Sequence, residues 1–382
     1  MPVRGQDPAG HEAVGSVAVR TFAAARQHSP MTVRTVHQSA HQSMDGQHVN
    51  ARAGDRSGDT TTHVLADYTE VPQGHFYDPD AEYEPDPEYA ATLAPDAARQ
   101  RRERIGPTGR PLPYFPIPGP LTDHGPATII AMCNQKGGVG KTTSTINLGA
   151  ALAEYGRRVL LVDFDPQGAL SVGLGVNPME LDLTVYNLLM ERGMAADEVL
   201  LKTAVPNMDL LPSNIDLSAA EVQLVSEVAR ESTLQRALKP LMQDYDYIVI
   251  DCQPSLGLLT VNALTAAHKV IVPLECEFFA LRGVALLTET IEKVQERLNP
   301  DLQLDGILAT MYDSRTVHSR EVLARVVEAF DEHVYHTVIG RTVRFPETTV
   351  AGEPITTYAS NSVGAAAYRQ LAREVLARCH AE

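Results

Sequence analysis

The chain has 382 residues, long enough for one large domain or two moderate ones with a substantial core. Its formal net charge of -16 excludes a general polyanion binder, so any contact with nucleic acid or membrane must come from a local basic patch. Four cysteines, Cys133, Cys252, Cys276 and Cys379, lack C-x-x-C spacing and suggest neither a disulfide framework nor a zinc site, as in a reducing cytosol.

The opening MPVRGQDPAGHEAV has no apolar core of signal-peptide length. No run approaches the roughly 18 apolar residues of a membrane span, so a soluble, cytoplasmic protein is expected. Residues 1–106 read as a largely disordered tail rich in proline and histidine. Residues 1–127 hold 15 of the 25 prolines, 8 of the 13 histidines and no lysine. Such a composition buries too little apolar surface to offset the entropy of ordering it. Inside it, an acidic run (Tyr77 to Tyr89, YDPDAEYEPDPEY) precedes a basic one (Arg99 to Arg104, RQRRER), and both suit a partner-docking arm. A proline-rich lead-in over 107–127, with PTGRPLPYFPIPGP at its start, should run extended. Its Tyr114, Phe115 and Ile117 are apolar enough to dock on the domain C-terminal to it.

From 128 to 382 the texture changes. ATIIAMC, RVLLVDFD, MDLLP, YDYIVIDC, KVIVPLEC, LDGILATMY and VYHTVI are apolar runs of strand length. Helical periods separate them: TTSTINLGAALAEYG, then Asp216 to Met242 as one helix or two, Phe279 to Leu298, SREVLARVVEAF, and Gly364 to Cys379. In the second of these, Leu217, Ala220, Val222, Leu224, Val225, Val228 and Ala229 make the apolar stripe. Near-continuous apolar strands alternating with helices predict an α/β fold: a doubly wound, mainly parallel sheet with helices on both faces.

Between the first strand and the first helix lies NQKGGVGKTT, Asn134 to Thr143. The spacing G-x-x-x-x-G-K-[ST] would put a glycine at Gln135, and an extra lysine, Lys136, stands five residues before Lys141. The strand-loop-helix context nevertheless identifies a phosphate-binding loop, with an altered entrance. Gly137, Gly138, Val139 and Gly140 lead into a helix N-terminus, where backbone N–H groups can turn onto phosphate oxygens. Lys141 would reach the β- and γ-phosphates of a nucleotide, Thr142 would offer its hydroxyl to Mg2+, and Thr143 would complete the phosphate-binding loop. Two strands end in acids, Asp163 and Asp165 on one and Asp251 on the other. Strand C-terminal ends face the ligand crevice, so all three can approach the metal and the γ-phosphate.

KGGVGKTT with Lys136 in front, VLLVDFDPQG and YIVIDCQPS resemble the deviant Walker A, A′ and Walker B motifs of ParA-type ATPases. This is the partition, or Soj-like, branch of the ParA/MinD family of P-loop NTPases, and the resemblance runs from about Thr128 to Ala377. It implies an ATP-sandwich homodimer in which Lys136 reaches the neighbour's phosphates. There a second ammonium would neutralise charge developing on the transferring phosphoryl group. Asp165 would orient the attacking water, and Asp163 and Asp251 would hold Mg2+, mostly through water. The resemblance further implies slow ATP hydrolysis stimulated by a ParB-like or other protein partner, in chromosome or plasmid partitioning. It also implies non-specific DNA binding by the ATP-bound dimer and association with the nucleoid. The DNA contact would lie in TMYDSRT, at Arg315, with Arg320, Arg325, Arg341 and Arg344 as nearby candidates. Contacts to phosphates would make that affinity fall steeply with salt.

The sequence departs from the family pattern at FPETTVAGEP (Phe345 to Pro354), at Gly340, and at Ser362-Val363-Gly364-Ala365, which thins the positive charge. Gln253 stands where proline is common. The alternative is a MinD-like or protein-partner positioning ATPase that does not bind DNA. A membrane switch would need a basic amphipathic terminal helix. AAAYRQLAREVLARC, with Tyr368, Leu371, Ala372, Val375, Leu376 and Cys379 on one stripe, reads instead as core-packing, and no stable membrane association is expected. An iron-sulfur reductase would need cluster cysteines, and the spacing of Cys252 and Cys276 does not match. A metabolic kinase or ligase would need a substrate constellation of its own, and none is legible.

Overall fold

The computed structural model describes residues 105–277 and 280–379; residues 1–104, on which the tail expectation falls, and Phe278 and Phe279 lie outside the described residues. The elements begin with β1 (Thr128–Met132), α1 (Lys141–Glu154), β2 (Val159–Phe164), α2 (Ala169–Gly173), α3 (Val185–Met190) and α4 (Ala196–Val199). Next come β3 (Leu201–Lys202), β4 (Met208–Leu211), α5 (Leu217–Gln223), α6 (Thr233–Leu238), β5 (Tyr247–Cys252) and α7 (Leu258–Ala266). The last group is β6 (Lys269–Glu275), α8 (Ala280–Arg297), β7 (Gln303–Thr310), α9 (Val317–Phe330), α10 (Arg344–Ala351), α11 (Ile355–Tyr358) and α12 (Val363–Cys379).

The strands form one sheet in the order β3-β4-β2-β5-β1-β6-β7. Among the described residues only the short β3–β4 strand pair is antiparallel. Strand order reverses at β1, which lies between β5 and β6, so the loop after β1 opens at the switch point of the sheet. Alternation explains the continuous apolar runs. Ile129 and Ala131 of β1 join one core layer with Leu160, Val162, Ile248 and Ile250. Ile130 and Met132 join the other with Leu161, Val249, Leu148 and Leu152. Burying each of the larger aliphatic side chains contributes about 1.5–3 kcal/mol. Gly149 lets α1 lie close on β2, because a Cβ there would sit 2.6 Å from a methyl of Leu161.

Three expectations need correction. VYHTVI makes no strand: it meets β7 through the isolated bridge Ile307–Val334 and through the N–H groups of Tyr335 and Ile339, which donate to the Ile307 and Ala309 carbonyls at 3.0 and 2.8 Å. The N–H groups of His336 and Thr337 donate instead to the two carboxylate oxygens of buried Glu374, at 2.8 and 2.9 Å. The Asp216–Met242 segment breaks into α5, α6 and 3-10 turns, with Ala229 left-handed at φ 54°. Leu217, Ala220 and Leu224 are buried, whereas Val222 faces solvent on the outer side of α5, and Val225, Val228 and Ala229 are exposed beyond the end of that helix. In the lead-in, Tyr114 and Ile117 are 84% and 73% exposed, and Phe115 alone is half-buried. Polar ties hold that segment: Arg110 donates to the carbonyls of Asp331 and Val334, Arg157 to that of Gly119, and His124 pairs with Asp246 at 2.8 Å.

The terminal helix α12 packs as its stripe predicts, with Tyr368, Leu371, Ala372, Val375 and Leu376 buried in the layer that contains α1. Among the described residues no helix is long and apolar enough to cross a membrane.

Candidate functional site

The buried end of β1 carries the chain through Cys133 and Asn134 into the glycine loop. Gly138 and Gly140 take φ of 75° and 84°, the left-handed region that side chains avoid. A Cβ at Gly138 would meet nothing within 4 Å, so the loop wall is open there. Gly140 caps α1 without any side-chain hydrogen bond, which leaves the first N–H groups of a 14-residue helix facing the loop. The loop is tied down from three strands. The Thr310 hydroxyl donates to the Val139 carbonyl at 2.8 Å, and Asn134 Nδ2 donates to the Pro273 carbonyl at 2.8 Å. The Thr142 hydroxyl donates to Asp251 Oδ2 at 2.6 Å.

Around this cradle the sheet register places acids side by side, Asp163 of β2 directly opposite Asp251 of β5. Both are fully buried. Burial, then the neighbouring Asp163 carboxylate, pushes Asp251 up to about 8, while the Thr142 hydroxyl and Lys141 pull it back. Burial likewise raises Asp163 to about 6 against its hydrogen bonds from Ser171. One oxygen of Asp163 accepts both the N–H and the hydroxyl of Ser171, at 2.8 and 2.7 Å, which pins the start of α2. Asp251 Oδ1 is buried with no hydrogen-bond partner. An orphan carboxylate oxygen beside a threonine hydroxyl is a donor set that fits a hard divalent cation. Asp165 lies within electrostatic reach of both acids, and its own carboxylate accepts the Gln167 N–H at 3.0 Å.

Lys141 is buried, and its amine donates to the carbonyl of Lys136 at 3.3 Å. Lys136 turns away from the cradle. Its amine lies 3.1 Å from Glu275 and 2.5 Å from Glu277, at and just beyond the end of β6. Burial alone would lower the Lys136 pKa, but the bonds to Glu277 and Glu275 raise it. Beside the loop is a cavity of about 320 Å3, walled by Gly140, Thr143, Ile339, Arg341, Phe345 and Tyr368. Tyr368 is braced by the Ser144 hydroxyl at 3.1 Å and by the edge-on ring of Phe345.

The arginines read as DNA contacts are exposed, but most are already paired. Arg315 makes a two-pronged contact with Asp313, Arg341 meets Glu275 at 3.2 Å, and Arg344 meets Glu347 at 2.8 Å. Arg320 donates to the Ser314 carbonyl, and Arg325 is exposed on α9.

Sequence reasoning did not single out Asn134, Ser171, Glu275, Glu277 or Thr310. Only Asn134 carried a signal, its place at the loop entrance; the others meet the loop or its acids through the fold. Gln253, noted as a departure, donates to Glu221 Oε1 at 2.9 Å and so ties the turn after Asp251 to α5.

Comparison with known proteins agrees with this geometry. A family model described as AAA domain matches residues 127–304. An uncharacterized protein of Mycobacterium tuberculosis is 68% identical over 274 residues, which cover 72% of this chain and 86% of that protein. The sporulation initiation inhibitor protein Soj of Bacillus subtilis is 49% identical over 249 residues, covering 65% of this chain and 98% of Soj. A Mycobacterium smegmatis structure named cobyrinic acid a,c-diamide synthase, with bound ADP and magnesium, matches at TM-score 0.60 and 46% identity. That match covers 66% of this chain and 96% of the other.

Proposed function

The chain belongs to the ParA/Soj family of ATPases, and from that premise we propose that it is an ATP-dependent dimerising switch in chromosome or plasmid partitioning. It would hydrolyse ATP slowly. The observation that carries this reading is a glycine loop opening on an uncapped helix start, with a second lysine, Lys136, whose amine rests on Glu275 and Glu277.

ATP phosphates would sit against the N–H groups from Gly137 to Gly140 and the first turn of α1. Lys141 would exchange the Lys136 carbonyl for the β- and γ-phosphates, and Thr143 would border the site. Thr142 and Asp251, with Asp163 behind them, would hold Mg2+, which offsets negative charge on the β- and γ-phosphate oxygens. Asp165 would orient the attacking water. Lys136 would enter the partner's site, so that dimerisation and catalysis depend on each other.

The cavity beside the loop suits a purine base. Exposed Arg315, Arg320, Arg341 and Arg344 would meet DNA phosphates once the dimer forms, because solvent-screened surface ion pairs are easily exchanged. A ParB-like or other protein would stimulate hydrolysis. The packing of α12 favours this over a membrane-bound switch, and nucleoid association in the cytoplasm follows from DNA binding.

Co-sedimentation with non-specific duplex DNA, with and without ATP over a salt series, tests the reading. ATP-dependent binding that weakens with salt is expected. Absence of binding by a demonstrated ATP dimer would remove DNA and leave a switch acting on a protein partner.

A further inference from the structure

We infer that Asn134 is a positioning residue for Lys136, aiming the second lysine of the loop; the inference rests on the reading of Lys136 as a residue that acts across the dimer. Asn134 is 6% exposed, and its side-chain amide spans two structures. Nδ2 donates to the Pro273 carbonyl of β6 at 2.8 Å, and Oδ1 accepts the backbone N–H of Lys136 at 2.9 Å. The Lys136 side chain then runs to Glu275, two residues further along the same strand. Backbone and side chain of Lys136 are thus both referred to β6.

The rest of the loop is held by other means. Val139 hangs from Thr310 of β7, and Thr142 hangs from Asp251 of β5. Lys141 is fixed by the start of α1. Asn134 therefore governs the entrance of the loop, where Lys136 leaves it, while the glycines that face phosphate are anchored separately. A buried amide whose donor and acceptor are both engaged holds a single orientation. Without it, the Lys136 N–H loses its acceptor and the residue can swing, although the ammonium itself is intact. A misplacement on the ångström scale costs catalysis far more than it costs ground-state binding.

The predicted phenotype is a split. Asn134→Ala should lower ATP turnover at least tenfold while the dissociation constant of a fluorescent ATP analogue stays within about twofold of native. It should copy Lys136→Ala, which sets the reference, and differ from Lys141→Ala, in which nucleotide affinity is lost. Asn134→Asp keeps the shape and the acceptor but turns the donor to Pro273 into a repelling oxygen. It should move turnover in the same direction, and it serves if the alanine variant does not fold. Native turnover in a folded Asn134 variant, or a loss of affinity like that of Lys141→Ala, overturns the assignment. If Lys136→Ala itself turns over ATP at the native rate, the role given to Lys136 fails, and the positioning role fails with it. Loss of turnover in Lys136→Ala with native turnover in both Asn134 variants overturns the positioning role alone.

Discussion

The amine of Lys136 lies 3.1 Å from Oε2 of Glu275, and the other oxygen of that carboxylate receives Arg341 at 3.2 Å. Lys136 therefore shares an acid with a residue that walls the cavity beside the loop, and Glu277 holds it from the other side. Exposed pairs of this kind contribute about 0–1 kcal/mol each. They are strong enough to set the resting direction of a flexible lysine and weak enough to be exchanged for phosphate. Glu277→Gln removes one partner and should leave the melting temperature within a degree or two. At a fixed concentration it should raise the ATP-dependent dimer fraction, by up to about fivefold in the association constant, as read by light scattering. An unchanged or smaller dimer fraction would show that Glu277 does not restrain Lys136.

Lys141→Ala should abolish binding of ATP and ADP alike, because the ammonium contact to the β/γ-phosphates is lost from a buried position. Equilibrium titration with a fluorescent nucleotide measures this. Affinity within threefold of native would refute the loop assignment.

Asp251 and Asp163 make the nucleotide-free fold sensitive to pH in a defined direction. Both carboxyls are raised above their ordinary value of 3.8, to about 8 and about 6. The folded state thus holds these protons more tightly than the unfolded chain does. Their contribution to stability is fully present below about pH 4 and is lost as pH rises through 6 and then 8. The melting temperature of the nucleotide-free protein should fall between pH 5.5 and 8.5, and Asp251→Asn should flatten that fall. An Asp251→Asn variant with the native slope would remove Asp251 as its source.

Arg315→Glu should weaken DNA co-sedimentation at least fivefold and make its salt dependence shallower, with ATP-driven dimerisation unchanged. The Arg315 side chain is 87% exposed and touches the rest of the protein through Asp313, so its loss leaves the core intact. Native DNA affinity in this variant would take Arg315 out of the interface.

Much of this was legible in the sequence because it is local. The strand runs are apolar on both faces, and Ile129 and Ile130 do end in opposite core layers. The glycine loop, Lys141 and Thr142 are contiguous, and Asp163 and Asp251 each stand at the end of an apolar run of strand length. What was not legible depends on partners distant in sequence. VYHTVI has strand composition, but Glu374 takes two of its N–H groups. The stripe through Val222, Val225 and Val228 fits a helix, yet the chain turns at Ala229 with no glycine or proline to mark it. Lys136 was visible as an extra lysine, whereas its resting place on Glu275 and Glu277 arises from β6, some 140 residues later.

The most direct test is the mass of the Asp165→Ala protein by light scattering with no nucleotide, with ADP and with ATP, each with Mg2+. If Asp165 orients the attacking water and Lys136 acts across a dimer, this variant should be a monomer without nucleotide and with ADP. With ATP it should be a stable dimer, and Lys136→Ala should dissolve that dimer. A protein that stays monomeric with bound ATP, or dimerises equally in all three conditions, would contradict the switch.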